Sequence, residues 1–265
     1  MDSKQRSFLR VSGAIGGFIA ATAVAAVAVM TGGLPGMLVG AVLITSLVAV
    51  CYAAAGKTAG LASGGFMRGF LIGLDTGVNT VLSGVIFGPI AGIITGIVNV
   101  LAAFDFFTRS RLYQAVLGWS SWFMPMSWPA TGLGLVCFLL NLIPAMFAAN
   151  RSVRIKIHRL TLDRGTGTIV MEGGWTFLPG FRGGFSLGNF AFVTMDSGVT
   201  DHETGHTLNV AAFGSIFHFI GAIDQNIIRS VPENAYAERC ADSHVPNAAA
   251  YRLAAGHEPV IPLWA

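Results

Sequence analysis

Charged residues are scarce in this sequence. Only 11% of the 265 residues are Asp, Glu, Lys or Arg, whereas 53% are hydrophobic. Soluble domains carry about 25% charged residues, so the deficit argues against an ordinary soluble domain and indicates a membrane protein. The net charge is only +3, and no basic stripe with interleaved aromatic residues is present. We therefore expect no nucleic-acid partner.

Cysteine is also rare. The chain has three cysteines, Cys51, Cys137 and Cys240, which is too few for a disulfide framework. Cys51 and Cys137 lie inside apolar runs, where a cysteine usually behaves as a small hydrophobic residue. We therefore predict free thiols.

Long apolar runs dominate the first 150 residues. Residues 11–31 and 37–55 predict a helical hairpin, and further spans are expected at about 66–87, 90–107 and 131–149. Residues 113–129 are rich in tryptophan and contain two prolines, which favours a short, re-entrant or kinked span at a membrane interface. These patterns predict a polytopic helical membrane bundle of about five to six spans over residues 1–150.

Basic residues at the ends of the bundle predict its orientation. Cations precede the first apolar run, and a second group follows the last one at Arg151, Arg154, Lys156 and Arg159. By the positive-inside rule, the N-terminus and residues 151–265 then lie on the cytoplasmic side. We expect an integral membrane protein of a bacterial inner membrane.

Two features inside the predicted spans have more than one structural interpretation. Asp75 and Asn79 are four residues apart and share a helix face, so they are either a functional site or a hydrogen-bonded contact between helices. Small residues recur every four positions, which favours close helix packing or a homo-oligomer. These small residues are Gly84, Gly88, Gly92 and Gly96.

The pattern changes after residue 150. Apolar and polar residues alternate over 153–158, which is typical of a half-exposed strand. A turn at 163–165, a return strand over 168–171 and a further strand over 185–194 follow. Residues 151–265 are therefore predicted to form a small α+β domain with a short antiparallel sheet, beside which a helix begins near Thr200.

That helix carries His202, Glu203 and His206 in an H-E-x-x-H pattern. Positions four apart share a helix face, so the two histidines can hold one metal ion together. Glu203 lies one residue further round and can take a proton from a water molecule on that ion. Zinc is the expected cofactor, because a site of two imidazoles and one further carboxylate ligand leaves an open position for water.

The third ligand distinguishes between classes of zinc site. The residue six positions after His206 is Ala212, so a third histidine at that spacing is missing. Further on, residues 238–242 form an E-x-x-A-D pattern that contains Glu238 and Asp242. Together the two motifs resemble those of the gluzincin metallopeptidases, in particular the membrane-embedded branch with the CAAX prenyl proteases and the bacterial heat-shock membrane proteases.

The resemblance covers about the last 75 residues and implies roles for several of them. Glu238 would complete the zinc site, and Asp242 would hydrogen-bond the free ring nitrogen of a ligand histidine. His244 would either stabilise a developing oxyanion or be a surface residue. The implied activity is zinc-dependent hydrolysis of peptides or membrane proteins, with an exposed edge strand near the zinc to hold an extended substrate.

The residues of the two motifs also have other interpretations. Thr200 to Glu203 also fits a helix-capping box, and Glu238 with Asp242 fits a solvated helix face. At the level of function, the main alternative is a non-catalytic membrane channel, transporter subunit or assembly scaffold with a zinc-stabilised pseudoenzyme domain. A third possibility is a metal-dependent hydrolase of a non-peptide amide or a lipid, because H-E-x-x-H specifies water activation and not the bond that is cut.

Overall fold

The computed structural model describes residues 15–26, 62–102, 110–148, 156–174, 183–194 and 199–223, with a few isolated residues that include Ala237, Glu238 and Ala241. Most of the described residues are helical, and four strands form one small sheet. The predicted span at 37–55 lies outside the described residues, as do Asp242 and His244.

Three helices are described in the part of the chain before residue 102. They are α1 (Ile15–Ala26), α2 (Ala62–Phe87) and α3 (Pro89–Leu101). The chain breaks between α2 and α3 at Gly88, whose φ of 96° suits glycine, and Pro89 then starts α3 without needing a backbone N–H partner. The break agrees with the sequence, but α3 has 13 residues and ends before the predicted limit at 107.

The tryptophan-rich segment is kinked, in agreement with its prolines. Helix α4 (Arg111–Ser120) is followed by 3-10 turns at Ser121–Phe123 and Pro125–Ser127, and then by α5 (Trp128–Ala148). The indole N–H groups of Trp119 and Trp122 donate to the carbonyls of Arg164 and Gly167, at 3.1 and 2.9 Å. These side chains therefore attach the kinked segment to a turn of the sheet.

The sheet is mixed, so the predicted antiparallel sheet is wrong in one pairing. Its strands are β1 (Ile157–Asp163), β2 (Thr168–Gly173), β3 (Gly184–Leu187) and β4 (Phe190–Val193), in the spatial order β1-β2-β4-β3. β4 runs parallel to β2, while the other two pairs are antiparallel. All four residues of β4 are apolar and buried, which favours an interior position, and β3 is left at the edge.

The single strand predicted over 185–194 is a hairpin. Gly188 has a φ of 60° and forms a two-residue turn with Asn189 between β3 and β4. The Asn189 side-chain carbonyl accepts a hydrogen bond from the Ser121 hydroxyl at 2.8 Å, and its amide donates to the Gly118 carbonyl at 3.2 Å. The turn is thereby fixed against α4 and the 3-10 segment.

A long helix, α6 (Thr200–Ile223), forms the centre of the described structure. Its residues 203–215 are all buried, and the largest core cluster joins it to α3, α4 and Ala237. Residues on both sides of position 150 thus share one hydrophobic core. The division into a bundle (1–150) and a separate domain (151–265) stays a prediction.

Helix α6 breaks at Gly214, where φ is 78°. The Ala211 carbonyl, which would bond to residue 215 in an unbroken helix, accepts from the Asn99 side-chain amide at 2.8 Å. Asn99 also donates to Asp75 at 2.8 Å and accepts from Asn79 at 2.9 Å. Asp75 and Asn79 therefore contribute to a buried contact among α2, α3 and α6, which agrees with the packing interpretation of these two residues.

The glycine-rich face packs α2 against α3 within the chain. A Cβ atom at Gly92 would lie 2.5 Å from the Thr80 carbonyl oxygen and 2.9 Å from the Gly84 Cα atom. A Cβ atom at Gly96 would collide with the Thr80 hydroxyl. The close helix contact that the spacing predicts is thus present, and self-association through this face stays a prediction.

Two helical stretches in the described part of the chain are long and apolar enough to cross a membrane, Pro125–Ile143 and Thr200–Ile223. The first is 28% buried inside the protein and the second 72%, so the second also fits a core helix. Large apolar side chains are exposed on α2, α3 and α5. They include Leu82, Val85, Ile86, Ile90, Ile94, Leu133, Val136, Leu140 and Ile143. A polytopic bundle of five to six spans stays a prediction.

Candidate metal centre

The two histidines of the H-E-x-x-H pattern lie in the first two turns of α6. Because they are four residues apart, both side chains leave the helix on one face, and their rings meet edge to face with centroids 4.8 Å apart. The His202 side chain is 13% exposed and that of His206 is 7% exposed. Both imidazoles are therefore largely removed from solvent, and that of His206 lines a cavity.

Glu238 completes a three-residue cluster with these histidines. Its Oε2 atom lies 2.9 Å from His202 Nε2, and its Oε1 atom lies 3.3 Å from His206 Nε2. The two Nε2 atoms are 3.2 Å apart. One possible ligand atom from each of the three side chains lies within 4.8 Å of those of the other two.

The cluster fits a zinc ion. Bonds of about 2.0–2.1 Å in tetrahedral geometry separate neighbouring ligand atoms by about 3.3 Å, which is close to the distances among the three side chains. Two imidazoles and one carboxylate are also a usual donor set of catalytic zinc sites, in which a fourth position is left for water or substrate. The predicted ligands His202, His206 and Glu238 are thus brought together, and they could hold the metal.

Small residues allow Glu238 to approach α6. A Cβ atom at Gly205 would lie 2.5 Å from the Ala241 carbonyl oxygen, so the backbone at 241 packs directly on the helix between the two histidines. Four residues further along α6, the Asn209 side-chain amide donates to the Ala237 carbonyl at 3.1 Å. The glycine of H-E-x-G-H and the alanine of E-x-x-A-D therefore have a packing role.

Electrostatics favour an ionised Glu238. Burial acts to raise the pKa of this carboxyl, but the charge of His206 and hydrogen bonds from His202 and His206 outweigh it. The pKa of Glu238 is therefore held well below its usual range. An ionised carboxylate is the form that binds a cation.

Glu203 lies beside the cluster and next to the edge strand. It is 4% exposed, and a Cβ atom at Gly184 of β3 would fall 2.7 Å from its Oε1 atom. A cavity of about 340 Å³ is lined by Glu203, His206 and Glu238 together with all four residues of β3. The carboxylate thus reaches the same space as two of the metal-ligand candidates, which is where a general base is needed.

The structure adds His218 to this cavity. Its ring centroid lies 5.9 Å from that of His206, and its Nε2–H donates to the Ser186 carbonyl of β3 at 3.0 Å. From the sequence, His218, twelve residues after His206, is interpreted as an ordinary core or interface histidine, with a metal ligand as the alternative. On a straight helix that spacing rotates a side chain by about 120° from His206, and the break at Gly214 changes this relation.

The two remaining candidates, Asp242 and His244, lie outside the described residues, and their roles stay predictions. One observation bears on the first of them. The buried Nδ1 atom of His206 has no hydrogen-bond partner among the residues that the structure describes. A partner for this nitrogen would orient the ring, as carboxylates do for many zinc-bound histidines.

Comparison with protein-family models, curated proteins and solved structures gives no match to this chain. The resemblance to gluzincins therefore rests on the two motifs and on the geometry of the residues that they contain.

Proposed function

We propose that this protein is an integral membrane zinc metallopeptidase that hydrolyses peptides or membrane proteins at the centre formed by His202, His206 and Glu238. One observation supports the proposal above others. Residues separated by more than thirty positions in the sequence place one possible ligand atom each within 4.8 Å of one another, and two of them, His206 and Glu238, line a cavity together with Glu203. A solvated helix face gives no reason for this convergence.

In the proposed reaction, His202, His206 and Glu238 would hold a zinc ion, which would supply Lewis acidity and lower the pKa of water at the site to about 7. A carboxylate oxygen of Glu203 accepts a proton from the attacking water. Glu203 then delivers this proton to the nitrogen of the leaving amine. The negative charge of the Glu238 carboxylate would offset part of the positive charge of a zinc ion held by the two imidazoles. The edge strand β3 offers backbone groups for an extended peptide beside Glu203.

The proposed location is the inner membrane of a bacterium, with the catalytic residues on the cytoplasmic side. The two long apolar helices and the exposed apolar side chains support attachment to a lipid bilayer. The basic residues between 151 and 159 support the orientation.

The non-catalytic alternative has less support. The glycine face and Asp75, which motivated a channel or scaffold, both take part in contacts between helices of this chain. A hydrolase of a non-peptide amide or a lipid remains a variant of the same chemistry, and the choice of substrate in the assay separates the two.

The direct test compares hydrolysis by the purified, zinc-loaded chain with hydrolysis by the Glu203→Gln variant. Denatured casein and a labelled peptide mixture serve as substrates. We expect the variant to keep its zinc and to cleave at least about 100-fold more slowly, because the amide cannot accept the proton.

Glu172→Gln is the matched control, since it makes the same change on β2 away from the cavity. This control should cleave like the unmodified chain. Normal cleavage by Glu203→Gln would contradict the proposed role of Glu203.

A further inference from the structure

Among the strands that the structure describes, β3 lies at one edge of the sheet, and this edge offers few backbone groups for pairing. The Thr194 N–H donates to the Gly183 carbonyl at 2.9 Å, which makes 183 and 194 a hydrogen-bonded pair. Such pairs alternate with open pairs along an antiparallel ladder, so Gly184 and Ser186 direct their N–H and C=O groups away from β4. A strand added at this edge would therefore pair with Gly184 and Ser186.

His218 already uses one of these groups. Its Nε2–H donates to the outward carbonyl of Ser186, and only 9% of the residue is exposed. A peptide that paired with Ser186 would have to share this carbonyl with the imidazole or displace it, and displacement would leave a buried imidazole N–H without its acceptor, which is unfavourable. Along the described edge, Gly184 is then the residue that can still exchange both of its backbone hydrogen bonds.

The position of Gly184 gives this restriction a functional meaning. Gly184 lies beside the Glu203 carboxylate, and Ser186, two residues further along β3, lines the same cavity together with His218. A substrate can therefore pair with the edge next to the general base, but its pairing stops on the side of His218.

Building on the proposed peptidase function, we propose that His218 is a specificity-determining residue that ends substrate pairing at Ser186. The class of substrate that fits is a peptide whose chain ends within the cavity, in preference to a long segment that runs on past Ser186. The break at Gly214 serves this role by turning His218 towards β3.

Peptide length is the variable that tests the inference. One core peptide is extended in steps at its N-terminal end in one series and at its C-terminal end in another. Binding to the zinc-loaded, full-length Glu203→Gln chain is measured by fluorescence anisotropy. We expect extension at one of the two ends to weaken binding about tenfold. The reason is that a longer peptide would lose a backbone hydrogen bond or leave the His218 N–H unpaired.

Variants at 218 connect this length dependence to the histidine. His218→Ala should let long and short peptides bind equally, and His218→Gln should retain the discrimination because its amide can still donate to Ser186. His158→Ala is the control histidine, exposed on β1 at the opposite edge of the sheet. Equal binding of long and short peptides by the chain with His218, or unchanged discrimination in His218→Ala, would overturn the inference.

The result can be separated from that of the proposed function. Discrimination by length without hydrolysis of any peptide by the chain with Glu203 would refute the peptidase and leave the role of His218 standing. Hydrolysis at bonds far from both ends of long peptides, irrespective of residue 218, would refute the role of His218 and leave the peptidase standing.

Discussion

At the scale of single residues, the candidate metal centre depends on positions where a side chain is missing. Gly205 allows the backbone at Ala241 to lie against α6, and Gly184 leaves space for the Glu203 carboxylate. Neither glycine has a φ in the left-handed region, so the requirement is for space and not for backbone freedom. Adding a methyl group at either position would move a functional group.

The variant Gly205→Ala tests this requirement. The added methyl group would push the backbone at Ala241 away and withdraw the Glu238 carboxylate from the histidines. We expect the affinity for zinc to fall by about tenfold or more, as for residues that support zinc ligands elsewhere. A titration against a chromophoric chelator measures it. Gly132→Ala is the control, because a Cβ atom there has nothing within 4 Å, and equal affinities in both variants would contradict the packing role.

Much of the site could be predicted from sequence because its spacing is local. The four-residue separation of His202 and His206 identifies one helix face, and the second motif identifies Glu238. His218 could not be recognised as a cavity residue in the same way. Its approach to Ser186 depends on the break at Gly214 and on the hairpin opposite, and neither is a property of the segment around 218.

At the scale of elements, the break in α6 is supported by polar groups from its neighbours. Asn99 on α3 binds the Ala211 carbonyl, the Ser127 hydroxyl donates to the Val210 carbonyl at 3.3 Å, and the Ala130 N–H donates to the Ser215 hydroxyl at 3.0 Å. Backbone groups released by a helix break would otherwise be buried without partners, which is unfavourable in an apolar core.

Removal of Asn99 should therefore destabilise the fold. Asn99→Ala leaves the Ala211 carbonyl without its donor and removes one of the donors to Asp75, and we expect a loss of about 3 kcal/mol in the free energy of unfolding. Asp75→Asn, which keeps an acceptor for Asn99 and a similar shape, should lose less than about 1 kcal/mol. Denaturant unfolding in detergent measures both. Equal losses in the two variants would contradict the idea that Asn99 supports the break.

The sheet shows where local patterns stop being informative. The short turn at 163–165 and the return strand predict the β1–β2 hairpin correctly, but β1 covers 157–163, and most of the alternating stretch at 153–158 lies outside the described residues. The parallel pairing of β2 with β4 joins strands on opposite sides of residues 174–183, and no local pattern encodes it. The signal for the second hairpin was present, however, since Gly188 and Asn189 are typical residues of a two-residue turn.

At the scale of the whole molecule, apolar surface is the dominant property. Val85 is 77% exposed and Ile90 is 74% exposed, and both belong to one continuous hairpin of helices. Large exposed apolar patches mark contact with a membrane or a partner. Composition predicted a membrane protein, because only 11% of the residues are charged, whereas soluble domains carry about 25%.

Membrane attachment follows as a prediction. We expect the protein to remain with the membrane fraction after a wash with sodium carbonate at high pH, because apolar contact does not depend on charge. Detergent should release it. Release by carbonate alone would indicate a peripheral protein and would contradict insertion of these helices into the bilayer.

The central claim is that one metal ion is held by side chains from two distant parts of the sequence. Its most direct test is the zinc content of the purified, detergent-solubilised chain, compared with that of Glu238→Ala and of the control Glu172→Ala. We expect about one zinc ion per chain for the unmodified protein and for the control, and a large loss for Glu238→Ala. Equal zinc in all three proteins, or none in the unmodified one, would contradict the account.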